Sequence, residues 1–349
     1  MGIFLIILTL LVVTTIVKNL VHKPKINWET DYLSPPVCQS IKGFFVILIF
    51  FSHFNAYIST NNPIDLPLIS FCKFFGQLIV VPFFLYSGYG IYESIKKKGS
   101  GYINAFPKKR ILKTLLHFDL ALILFLILNQ FLGIHYSIKT FLLSLIAWED
   151  IGNSNWFIFA ILATYLFTYI AFKISKNHSR SITIIFLLTA VFIVALYVLK
   201  KEEPWWYNTI ICYPIGILYS YSKEHIEKLF FKPSKIFLPL SICILACFAV
   251  CSIYDHILPT ITVQIRAIFF SALLIIWARL FPFTNSALKW FGGYVFEIYI
   301  LQRIPMALFK AYGLNESLYL YLAICIFTTF FLSIVFKRVC AYLDSKLIA

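Results

Sequence analysis

Eleven stretches of this chain are apolar for about the length of a bilayer crossing, and few folds satisfy such a pattern. The first six are Ile3–Val21, Ile41–Thr60, Leu68–Ile95, Ile111–Leu132, Trp156–Ile174 and Ile182–Leu199. The remaining five are Tyr207–Tyr221, Ile236–Tyr254, Ile261–Leu280, Phe291–Tyr312 and Leu318–Phe336. These runs are apolar on all sides, whereas the spans of a β-barrel would alternate polar and apolar residues. With 60% of residues hydrophobic, 13% charged and a mean hydropathy of +0.85, a soluble domain is excluded. The expectation is an all-α polytopic protein of the cell (plasma or inner) membrane, with about 11 transmembrane helices.

The net charge of +15 could indicate nucleic-acid binding, but the basic residues sit between apolar runs rather than in a tail or groove-reading motif. They read as topology. With the N-terminus outside, 23 of the 30 Lys and Arg residues fall on cytoplasmic segments, and the C-terminus is cytoplasmic. The first run lacks a basic leader and a small-residue cleavage site, so it reads as an uncleaved helix. Residues 1–39 are therefore an N-terminal helix with its linker, and 40–349 form the main transmembrane domain. The stretch Phe141–Trp148 is too short to span and reads as a half-helix or surface segment. The segment Lys96–Arg110 reads as a polar, basic linker. Cys243, Cys247 and Cys251 share a helical face, but no His or carboxylate accompanies them, so helix packing is preferred to metal binding.

The run Ile41–Phe54 carries Lys42 and His53, whose separation brings them within about 20° of one helical face and about 16 Å apart along the axis. The lysine marks one mouth of a span and the histidine lies near its midplane. An imidazole at that depth, expected in its neutral form, suits a general base or an acyl acceptor; the plainer alternative is an interhelical hydrogen bond. Lys108, Lys109, Arg110 and Lys113 open another helix, either as ordinary positive-inside residues or as a phosphate site. Ser87, Gly88 and Gly90 permit close helix approach or a local break. Glu297, Arg303 and Arg266 lie inside spans and need partners; the first two are on different faces, so they are not expected to pair. His117 and Asp119 read as interfacial or packing residues, and Glu149, Asp150, Asp255 and His256 as solvated loop residues.

Several of these motifs, in this order, resemble the membrane acyltransferase 3 family, which O-acylates cell-surface polysaccharides and lipids. Lys42, ten residues and His53 are similar to its basic-x10-His signature. FFLYSGYGI at Phe83–Ile91 resembles its FFxLSG segment, and Arg110-Ile-Leu-Lys113 its Arg-x-x-Arg. Asn155-Trp156-Phe157 fits its tryptophan-led fifth span, and YVFEIYILQRIP at Tyr294–Pro305 its closing helix. The likeness extends over about Ser40–Arg338. Four departures stand out: Lys113 for an arginine, Thr114-Leu115 for a proline, Gln302 where a histidine is common, and the extra first helix.

The resemblance implies an acyl-CoA donor, most simply acetyl-CoA, with its phosphates at Arg110, Lys113, Lys109 and Lys42 on the cytoplasmic side. It implies His53 as base or acyl acceptor, with Lys42 beside it in the signature. The acceptor would be a surface polysaccharide or glycolipid, met by Asn55, Ser87, Trp156, Glu297, Arg303 and Arg266. No metal is expected, since neither HExxH nor a Walker loop occurs. Expected partners are membrane lipid, the donor, the acceptor, and a second copy or other envelope-biosynthesis proteins; nucleic acid is not expected. A transporter or flippase for a glycan or lipid precursor is the rival class.

Overall fold

In hydrocarbon every backbone polar group must find a partner within the chain, and apolar runs of this length find it as helices. The computed structural model describes residues 2–22, 31–60, 62–231, 234–281 and 283–347. It is 84% helix, with no strand among the described residues. In chain order the first helices are α1 (Gly2–His22), α2 (Pro35–Phe54), α3 (Leu66–Phe75), α4 (Val81–Phe106) and α5 (Lys113–Phe131). Next come α6 (Ile138–Leu145), α7 (Trp156–Ile174), α8 (His178–Leu199), α9 (Cys212–Ile226), α10 (Ser234–Ile253) and α11 (Pro259–Leu280). The chain closes with α12 (Ser286–Gly293), α13 (Val295–Leu301), α14 (Arg303–Ala311) and α15 (Leu318–Leu347).

Three expectations change. The run Leu68–Ile95 is not one helix, because Gly76 adopts φ 46 and separates α3 from α4. The basic linker is helical: α4 continues past Lys98, bends at Gly99 (φ 55, ψ −140), and joins α5 through a wide π turn at Pro107–Leu112. The run Phe291–Tyr312 is broken into α12, α13 and α14. Among the described residues, seven helical stretches are long and apolar enough to cross a membrane, with 66–131 counted as one. The difference from eleven has a physical basis. The first run, as α1, is not among the seven, the third and fourth are joined by helix, α9 has only 15 residues, and the tenth run is in pieces.

Helix α2 begins where Ser34, with extended backbone angles, precedes Pro35 and Pro36 in the first turn. It is seated by a crossing with α12 that leaves no room for side chains. A β-carbon on Gly43 would lie 1.8 Å from the Leu288 carbonyl oxygen, and one on Gly292 1.8 Å from that of Gln39. The α4–α9 pair repeats the device, with Gly88 facing Tyr213 and Gly216 facing Leu85. In lipid, where burying apolar surface gives little net gain, such backbone approach supplies much of the helix adhesion. Leu187, Val191 and Val198 of α8 and Leu238, Ile242 and Leu245 of α10 point away from the bundle, as a lipid-facing side requires.

Candidate functional site

The basic residues converge at one end of the bundle around a cavity of about 1020 Å³. Lys98 from α4, Lys109 and Arg110 from the π turn, and Lys113 and His117 from α5 line one side. Phe296 and Glu297 from α13 and Lys337 and Asp344 from α15 line the other. Some of these charges are already paired. Asp344 accepts from Lys113 at 2.6 Å and from His117 at 2.9 Å, and Lys337 lies 3.9 Å from Glu297. Lys98, Lys109 and Arg110 have no carboxylate partner among the described residues, so the cavity keeps net positive charge for an anion. Arg110 donates through Nε to the Tyr102 hydroxyl at 3.1 Å.

Lys42 does not line that cavity. It lines a neighbouring one of about 400 Å³ between α2 and α4, with Asp31, Glu93 and Lys97. The Tyr86 hydroxyl in its wall is buried with no hydrogen-bond partner among the described residues. Lys42 and Arg110 are nonetheless close enough for their charges to repel each other. Ser87 hydrogen-bonds the Tyr165 hydroxyl at 2.9 Å within the α4–α7 packing.

From Lys42, α2 carries the chain inward to His53. Gln302, between α13 and α14, approaches its Nδ1 through Nε2 at 2.9 Å. The Tyr299 ring is centred 6.1 Å from the imidazole, and Arg303 contacts Tyr57 and exerts its charge on His53. Buried polar atoms with no hydrogen-bond partner among the described residues include Asn55 Oδ1, two residues past His53, Gln302 Oε1 and Arg303 Nε, and, in the loop before α7, Asn153 Nδ2. Buried groups left this way mark a place built for water or a ligand. Asn153 sits in a buried loop that is largely self-bonded, its Oδ1 accepting from the Ile151 N–H at 3.0 Å. Asn129 Nδ2 donates to the Ile151 carbonyl at 2.7 Å, and Asn155 Nδ2 donates to that of Ala147 at 3.0 Å.

One side chain is common to the walls of two cavities. Phe296 lines both the basic cavity and an apolar cavity of about 70 Å³, whose other walls include Ile49, Phe83, Phe157 and Tyr299. Phe157 and Tyr299 pack edge to face at 5.5 Å, which sets Trp156, the first residue of α7, one position from this cavity.

Three candidates stand elsewhere. Glu297 faces the basic cavity. Ser87 is engaged with Tyr165. Arg266 donates to Asp255 at 3.2 Å and to the Phe74 carbonyl at 2.7 Å, and lies over the rings of Phe74 and Phe248. These partners of Arg266 differ from the Gln302 amide that meets His53. Conversely, Asp344, Lys337, Phe296 and Tyr299 belong to the two cavities although their spacing in the sequence gives no sign of it. Among the described residues no group of three His, Cys, Asp or Glu side chains is arranged to hold a metal.

Residues 39–338 match the family model Acyl_transf_3, described as an acyltransferase domain. The chain belongs to the acyltransferase 3 family. The match covers nearly all of the chain, and with the long apolar helices it makes the protein a multi-pass membrane acyltransferase. Comparison with curated proteins and with solved structures returned no match. Helix α1 lies outside the matched region of this acyltransferase, while Lys42, His53, Arg110 and Gln302 all lie within it.

Proposed function

We propose that this acyltransferase moves an acyl group, most simply acetyl, from cytoplasmic acyl-CoA to a hydroxyl of an extracytoplasmic polysaccharide or glycolipid at the cell membrane. The observation that carries this reading is the order of environments along α13: basic cavity, small apolar cavity, imidazole. An acyl-CoA has the same order of chemistry. Its phosphates match Arg110, Lys109 and Lys98, its uncharged arm suits the apolar walls around Phe296, and its thioester comes last, toward His53. Lys42, on the neighbouring cavity, adds to the positive field felt near Arg110. Lys113 is held by Asp344, so it contributes field rather than a free donor. The unpartnered amide and guanidinium atoms around Asn55, Asn153 and Arg303 then meet the acceptor, whose hydroxyl groups both donate and accept.

His53 acts either by taking the acyl group and passing it on or by deprotonating the acceptor hydroxyl. Arg303 exerts its charge on the imidazole, a field that would favour a developing oxyanion. Replacing Arg110 with glutamine should raise the KM for acetyl-CoA about tenfold and change kcat less than about twofold, as loss of a charge-assisted contact made equally in ground and transition states requires. Steady-state kinetics at fixed acceptor checks it. An unchanged KM would remove Arg110 from the donor site.

A further inference from the structure

The orientation of the Gln302 amide decides which nitrogen of His53 carries the proton. A glutamine Nε2 only donates, so His53 Nδ1 accepts the 2.9 Å bond and carries no proton. The amide cannot be turned over without loss, because its second N–H donates to the Tyr299 carbonyl at 3.2 Å, and that oxygen only accepts. Gln302 is 0% exposed, so no solvent competes for either bond. Its Oε1 has no partner among the described residues. In the opposite orientation Oε1 would face the Tyr299 carbonyl, and both N–H groups would lose their acceptors. The observed orientation is the better satisfied of the two.

We infer that Gln302 is a positioning residue that sets the tautomer of His53, holding the proton on Nε2 and the Nδ1 lone pair out of reaction. This rests on the acyl-transfer reading for its catalytic meaning but not for its geometry. At rest His53 meets an incoming group as an Nε2–H donor, suited to polarising a carbonyl. It becomes a base or nucleophile at Nε2 only after the Gln302 amide turns, so that Oε1 accepts from an Nδ1–H. The unpartnered Oε1 narrows the gap between the two orientations, because the resting one is itself incompletely satisfied. The charged or titratable groups recorded facing the imidazole are Arg303, from the start of α14, and Tyr299, from α13. Neither takes the place of the amide at Nδ1.

The test is the nitrogen spectrum of the full-length protein labelled with 15N-histidine in detergent or nanodiscs, with a His53→Asn difference spectrum assigning the ring. The wild type should show a protonated Nε2 and a bare Nδ1. Gln302→Glu, whose carboxylate only accepts, should reverse the two. A bare Nε2 in the wild type, or the same tautomer in both proteins, overturns the inference. Kinetics supply the second readout. Gln302→Met, similar in volume but unable to hydrogen-bond, should lower kcat at least tenfold at unchanged KM for acetyl-CoA, while Gln302→Glu retains turnover. Equal kcat in Gln302→Met and wild type also overturns it. If the wild type transfers no acyl group at all, the functional reading fails, and the spectra still decide the tautomer.

Discussion

Replacing His53 with alanine is expected to lower acyl transfer by on the order of 10²–10⁴-fold while leaving acetyl-CoA affinity within about twofold of wild type. The two effects separate because the groups assigned to the donor phosphates are on α4, the π turn and α5, away from the imidazole near the end of α2. Gln302 would lose its Nδ1 partner but keep the bond to Tyr299, so the break between α13 and α14 should survive. Equilibrium binding of labelled acetyl-CoA alongside single-turnover transfer distinguishes the terms. Equal loss of binding and transfer would mean that His53 holds the fold or the donor rather than the reacting group.

The other large effect is structural. A leucine at Gly43 must displace the Leu288 carbonyl, since even its β-carbon would sit 1.8 Å from that oxygen. Both partners are helix backbone, so neither can rotate away, and α2 and α12 must separate along their whole crossing. Helix-on-helix contact is the main adhesion available in lipid. The cost should be about 3 kcal/mol or more, enough to remove most folded protein. Gly88→Leu should do the same to the α4–α9 pair, where the β-carbon would be 2.1 Å from the Tyr213 carbonyl oxygen. Gly90→Leu is the control, because nothing lies within 4 Å of a β-carbon there. Monodisperse yield in detergent and melting temperature read all three. Wild-type behaviour in the Gly43 variant would show that the crossing can relax.

Much of this was legible in the sequence because lipid imposes simple rules. Trp156–Ile174 forms one helix with the bounds its apolar run suggests, and Lys42 and His53 do lie on a single helix. The short segment before Trp148 folds as α6, a helix of 8 residues. The breaks were harder to see. An apolar run shows hydrophobic length but not backbone angle, so the positive φ at Gly76 and the turn at Tyr294 are hidden inside continuous runs. The linker after Lys98 is charged and yet helical, because α4 carries on beyond the apolar stretch.

The site was legible only in part. Arg110, Lys109 and Lys113 do meet in one cavity, but Asp344 reaches Lys113 from the end of α15. A contact between residues that far apart in the chain leaves no local signal. Gln302 stood out in the sequence only as a residue replacing a histidine. Its role follows from Tyr299 and His53 standing on either side of its amide, which only the folded chain brings about.

The most direct test of the account is sided transfer in liposomes. Purified protein would be reconstituted around a lumen holding acetyl-labelled acetyl-CoA, with surface glycan supplied only outside. The account predicts labelled external glycan, CoA retained in the lumen, and loss of the label with His53→Ala. Unlabelled glycan accumulating inside, with the thioester intact, would contradict it and make the protein a transporter.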